Sequence, residues 1–167
     1  MKKILVLFLI PFLATACKVS YSFNGASIDY NLTKTIHIAD FQNQAPLVYA
    51  PLTQIFNEEM RDVFTRNTKL QFTDVNPDIE IEGEVIRYDF TPQAVKEDAY
   101  ASETRFTVSV RMRYRNNKKP EEDKEETFSA YRDFNANMLV DQAQDELIPQ
   151  ITKELVDQIF NSTMSNW

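Results

Sequence analysis

Three residue types are nearly missing from this 167-residue chain: it has one cysteine, one histidine and two glycines. Each scarcity excludes a class of chemistry. One cysteine forms no intramolecular disulfide, and one cysteine with one histidine builds no structural zinc site. A single histidine leaves little room for histidine-based acid–base catalysis. Two glycines, far apart at Gly25 and Gly83, cannot make a phosphate-cradling loop. Positive charge is short as well. Lys plus Arg number 18 against 25 Asp plus Glu, a net charge of -7 that argues against nucleic acid as a partner. No nucleophile elbow, zinc-protease helix or calcium-loop spacing occurs. The carboxylate pairs Glu58-Glu59 and Glu121-Glu122 fall on expected solvated surface. The expectation is a non-enzyme with no cofactor and no metal. A chain near this length buries roughly 70% of its unfolded surface, enough for one domain with a real core.

What is present begins with an export signal. Met1-Lys2-Lys3 is followed by an apolar run from Ile4 to Ala14 that is broken only by Pro11. Spanning a bilayer takes about 20 apolar residues, so this run fits a secretory signal instead. It ends in Ala14-Thr15-Ala16-Cys17, which resembles the bacterial lipobox, where cleavage leaves an amino-terminal cysteine that is then lipidated. The alternative is an ordinary signal cut after Ala16 that leaves a free thiol. Residues 1–16 are thus expected as signal peptide, 17–33 as a lipidated tether and 34–167 as a single domain. Removing Lys2 and Lys3 with the signal moves the net charge from -7 to -9. Lys18, rather than an acidic residue, follows the cysteine, which favours the outer membrane, on its periplasmic side.

Periodicity supplies the fold. Lys34 to Phe41 alternates as a half-buried strand, with Ile36 and Ile38 on one face and His37 on the other, so His37 reads as a strand-face residue. Gln42 to Ala50 reads as a loop. Pro51 suits a helix first turn, and Leu52, Ile55, Phe56, Met60, Val63 and Phe64 recur at helical spacing to about Asn67. Gln71 to Asp74 suits a short edge strand. Ile79 to Phe90 alternates again, and Gly83 inside it marks a bulge or a close approach. Arg105 to Arg115 sends Phe106, Val108, Val110, Met112 and Tyr114 one way and Arg105, Arg111, Arg113 and Arg115 the other. A polar connection from Asn116 to Glu126 leads to a strand at Thr127 to Phe134. A final helix is expected from Asp141 to Asn161, either starting near Asp145 or kinked at Pro149, since a mid-helix proline costs about 3 kcal/mol. The sum is an α+β two-layer sandwich, with two helices on one face of a roughly four-stranded, mostly antiparallel sheet.

The arginine face of the Arg105 strand stands out in so acidic a chain. It is either paired with neighbouring carboxylates such as Glu80, Glu82 and Glu84, or aimed at an anionic partner that arginine can grip with its fork of donors.

Several stretches together resemble the LptE family of lipopolysaccharide-assembly lipoproteins in its Bacteroidota form. They are Tyr21 to Ile28, Thr35 to Phe41, Ala45-Pro46-Leu47, the Leu52 helix, Ile81 to Val85 with Tyr88 and Thr91-Pro92, Thr107 to Tyr114, Phe128-Ser129 with Tyr131, and the ending Asn166-Trp167. The resemblance implies two helices on a four-stranded sheet. It also implies a plug and assembly partner of the LptD outer-membrane β-barrel, acting in lipopolysaccharide delivery to the outer leaflet and touching lipopolysaccharide through basic residues. Strand alternation alone, not a family motif, nominates Arg105, Arg111, Arg113 and Arg115, with Arg87 added. The alternative is a periplasm-facing ligand-binding or structural lipoprotein of another envelope complex. The lipidation expectation has a direct check. Cys17→Ser should move the exported protein from the membrane to the soluble periplasmic fraction, whereas unchanged membrane fractionation would reject Cys17 as the anchor.

Overall fold

The computed structural model describes residues 28–93 and 103–164. Cys17, the signal segment, the first part of the expected tether and Asn166-Trp167 lie outside the described residues. Six strands and two long helices follow in order. They are β1 (Thr35–Ile38), β2 (Gln42–Asn43), α1 (Ala50–Asn67), β3 (Gln71–Phe72), β4 (Ile79–Pro92), β5 (Glu103–Asn116), β6 (Lys124–Asn135) and α2 (Val140–Met164). The sheet order is β3-β1-β4-β5-β6, with β2 also on β4. β4, β5 and β6 form a long antiparallel meander, while β1, β2 and β3 pair in parallel over two or three residues each. The expected α+β class holds, with six strands rather than about four. β3 is the short edge strand expected at Gln71 to Asp74, and the strand not expected is the two-residue β2.

A one-residue insertion shapes the β1 side of the sheet. Ile38 is opposite Ile81 and Gln42 is opposite Glu84, so four steps on one chain match three on the other. The insertion flips the alternation. Ile36 and Ile38 face the core, and so does Phe41, where strict alternation would have sent Asp40 inward. It also turns the expected Gln42 loop back onto β4 as β2. Phe41 is fully buried, with its ring centroid 5.0 Å from that of Phe56 on α1. Its backbone has no strand partner at this point. The Asn57 side chain supplies one, accepting from the Phe41 N–H at 2.9 Å and donating to the Phe41 carbonyl at 3.3 Å. Under the ring lies Gly83, where any Cβ would collide with both the ring and the Arg111 carbonyl. The glycine is therefore a close approach. The irregularity in β4 falls instead between Val85 and Arg87.

α1 buries Leu52, Phe56, Met60, Val63 and Phe64, the stripe expected from spacing. α2 buries Leu147, Ile148, Ile151, Leu155, Val156 and Ile159, and meets α1 at the Phe64–Phe160 edge contact, with centroids 5.2 Å apart. It begins at Val140, one residue before the expected Asp141 and not near Asp145, and carries Pro149 inside. The proline removes one helical bond, but each fully buried apolar side chain returns about 1.5–3 kcal/mol, so packing outweighs propensity. β6 likewise starts earlier than expected, at Lys124. On its helix-facing side, Lys124 and Glu126 bond Ser162 of α2, and Arg132 pairs with Glu154 at 2.7 Å. Charges there are edge contacts to a helix, which hides the strand from a hydrophobic pattern. The expected polar connection is organised rather than loose. Asn116, only 4% exposed, accepts from the Lys118 and Lys119 N–H groups and donates to Glu122.

Of the expected tether, residues 28–33 make a turn on Asp29, and Ile28 and Tyr30 pack against the core. Gly83→Ala should cost about 1–3 kcal/mol through overpacking and Phe41→Ala about 3–5 kcal/mol. Because both act on one contact, the double variant should lose less than the sum in urea unfolding. Strict additivity would show that Phe41 and Gly83 are not coupled.

Candidate functional site

The helices cover one face of the sheet, and the other face is open. On that face every expected arginine has a carboxylate partner. Central β5 supplies the cations and its two neighbours supply the anions, because the registers Glu80↔Arg115, Glu82↔Arg113, Glu84↔Arg111, Arg113↔Glu125 and Arg105↔Asp133 place opposite charges side by side. Arg115 reaches Glu80 at 2.8 Å and Glu82 at 3.7 Å. Arg113 bridges Glu82 at 3.2 Å and Glu125 at 3.1 Å. Arg111 meets Glu84 at 3.4 Å, Arg105 meets Asp133 at 2.7 Å and Arg87 meets Asp89 at 2.7 Å. Five arginines thus stand among six carboxylates. The face has no positive excess, and bulk attraction of an anion is not its chemistry.

The pairs polarise one another. The hydrogen bond from Arg105 lowers the Asp133 carboxyl, and that from Arg87 lowers Asp89. Bonding to Glu125, with the charges of Glu125 and Glu82, raises Arg113. Exposed ion pairs are individually weak. Their effect here is to leave each arginine beside a carboxylate, with no bare cation among them. The lower half of the face is also covered from within. Arg105 stacks 3.9 Å over the Tyr131 ring, Ser109 and Ser129 bond across strands at 3.0 Å, and Thr107 and Ser109 are buried.

A shallow groove of about 380 Å³ opens beside the inserted residue of the β1 side, between Ala39-Asp40 and the Glu82, Glu84, Arg111, Arg113 and Glu125 side chains. Its size suits a small ligand, but ligand sites are mostly apolar and enclosed, and this one is open and charged in both signs. Among the described residues, no group of three or more His, Cys, Asp or Glu is placed to hold a metal. His37 stands on the open face of β1 with Asp74 at 3.0 Å. Reading the sequence missed Asp89, Glu125 and Asp133 as partners. Counting the Arg113 hairpin register across the polar connection is the signal that finds Glu125.

One acid off this face ties its upper end together. Asp78 accepts from the Lys34 and Thr35 N–H groups at 2.8 and 3.0 Å and pairs with Lys118 at 3.1 Å, while its own N–H donates to Thr35. Burial alone raises its carboxyl, but those hydrogen bonds outweigh it and bring it to about 2, against an ordinary 3.8. A depressed carboxyl stabilises the fold above its unfolded pKa and loses that contribution as pH falls through the folded one. Stability should therefore fall between about pH 4 and pH 2. Asp78→Asn should flatten that part of the profile. An unchanged acid limb in the variant would remove Asp78 from the account.

Comparison with known proteins adds the family. The sequence profile of the LptE family, described as lipopolysaccharide-assembly, matches residues 33–163. Among curated proteins, none matches significantly. Similar solved structures include a Xanthomonas campestris protein (13% identity, TM-score 0.57, covering 79% of this chain and 84% of that one). Another is a minor lipoprotein from Acinetobacter baumannii (16% identity, TM-score 0.51, 77% and 92%). A third is the rare lipoprotein B from Shewanella oneidensis (13% identity, TM-score 0.50, 78% and 92%). At these identities the likeness concerns the fold.

Proposed function

The chain belongs to the LptE lipopolysaccharide-assembly family, and on that premise we propose that it is a lipid-anchored outer-membrane protein that partners an LptD-like β-barrel. In this reading Cys17 carries the lipid on the periplasmic side, and the folded domain occupies the barrel lumen as plug and assembly partner for lipopolysaccharide export. The profile match over nearly the whole domain carries the proposal. The open sheet face supports it. Barrel interiors are polar, and a flat face whose charges are already neutralised in pairs can be buried against such a wall without stranding an ion. A net-positive patch would not have that property. We assign the domain no reaction. It acts through shape and contact.

Lipopolysaccharide is the second partner in this reading. Its phosphates would engage Arg111 and Arg113 by exchange with Glu84, Glu82 and Glu125, rather than by long-range attraction. The mixed-charge groove beside them is the opening on that part of the face. A free periplasm-facing lipoprotein of another envelope complex is the competing reading.

Affinity purification of the tagged chain from crosslinked outer membranes should recover a β-barrel of the lipopolysaccharide translocon, and depletion should lower surface lipopolysaccharide. Full depletion with unchanged surface lipopolysaccharide would sink the proposal, and recovery of a different envelope complex would favour the competitor. For the purified chain, reversing Arg111 and Arg113 to Glu should weaken lipopolysaccharide binding by about tenfold or more, the loss expected for one charge-assisted contact. Reversing Lys118 and Lys119 should do less. Equal effects would remove the arginine face from lipopolysaccharide binding.

A further inference from the structure

β6 ends the sheet, and among the described residues it has a strand neighbour on one side only. Which of its backbone groups face outward can be worked out. Gln93 donates to the Glu103 carbonyl, so odd-numbered β5 residues turn their backbone toward β4 and even-numbered ones toward β6. Even β5 residues stand opposite even β6 residues, as in Thr104↔Phe134 and Phe106↔Arg132. Odd β6 residues therefore point their N–H and C=O groups to the free edge. The Arg132 guanidinium agrees, since it donates to the Tyr131 carbonyl at 2.8 Å from that side.

Natural sheets blunt a free edge with charge, proline or a bulge. Here charges stand at the two ends of the strand, and Thr127 to Tyr131 carries none, nor any proline or glycine. Tyr131 in that stretch is 50% exposed, with Arg105 stacked on its ring. The end charges are opposite in sign on the helix-facing side, Glu126 at one end and Arg132 at the other. That arrangement is complementary to itself when reversed.

We propose that β6 pairs antiparallel with β6 of a second copy of this chain, about a two-fold axis at Ser129. In that register odd residues meet odd residues, as outward hydrogen bonding requires. Glu126 of each copy faces Arg132 of the other, whose guanidinium leaves the Tyr131 carbonyl as the ladder forms. Tyr131 covers Thr127, a favourable aromatic–β-branched pair. Moving the axis to Phe128 sets Lys124 against Arg132, and moving it to Ala130 sets Arg132 against Phe128. Centring on Ser129 does bring Glu125 near Asp133, but Arg113 and Arg105 already neutralise these two. The inference rests on the edge and not on the barrel reading. It describes a state of the chain in which that edge is free.

The test is the mass of the full-length chain in detergent, by light scattering coupled to size exclusion. The expected mass is twice that of one copy. Ser129→Pro removes an outward N–H that the chain's own ladder does not use, so it should give a folded monomer with an unchanged circular-dichroism spectrum, melting somewhat lower because the Ser109–Ser129 hydrogen bond goes with the hydroxyl. Should that proline unfold the chain, charge exchange serves in its place. Glu126→Arg alone should lose the dimer by setting Arg against Arg132, and adding Arg132→Glu should restore it, although the contacts of both residues to α2 stay lost. A wild-type monomer, a dimer that survives Ser129→Pro, or a double exchange that fails to restore pairing would each overturn the proposal. So would equimolar occupation of the edge by a different protein with no homodimer.

Discussion

The seat of Phe41 on Gly83 is the constraint on which the rest of the structure depends. The inserted residue between β1 and β2 turns this ring inward. The missing Cβ at Gly83 lets it reach β4, Phe56 closes it from above and Asn57 satisfies its backbone. Without that seat α1 would stand off the sheet, because its central aromatic residue packs on Phe41. Without the insertion Asp40 would point into the core, where an unpaired carboxylate costs several kcal/mol. Instead Asp40 meets Arg61 of α1 at 3.0 Å on the surface and forms one wall of the charged groove.

Much of this architecture was legible in the residues, and the exceptions have physical causes. β5 was readable because its two faces differ completely, apolar against arginine and small polar. α1 was readable because its stripe is unbroken. Phe41 was not, because an insertion reverses side-chain parity and leaves no mark in composition. β2 has two residues, too few to show any period. The start of β6 was hidden by Lys124 and Glu126, whose inward charges are satisfied by Ser162 of a helix 36 or more residues away. Pro149 left open whether α2 starts near Asp145 or runs through the proline, and the buried contacts that overcome its local cost appear in no local pattern.

The open face shows the same mixture. Its arginines could be named from alternation, and both readings of them were visible. The structure supplies the partners, because register rather than sequence distance decides which charges meet. The outcome is a face that is rich in charge yet nearly neutral, each arginine standing beside a carboxylate. Such a surface suits burial against another polar surface. This domain places its core and both helices on one side, and a paired polar plane on the other.

Site-specific photocrosslinking in cells tests that division of labour most directly. A photoreactive residue at Glu82 or Glu84, on the open face and away from the β6 edge, is predicted to crosslink to the barrel proposed as partner. The same residue at Glu58 or Asp157, exposed on the helices, is predicted to do so much less. Barrel crosslinks confined to the helix positions would contradict the account.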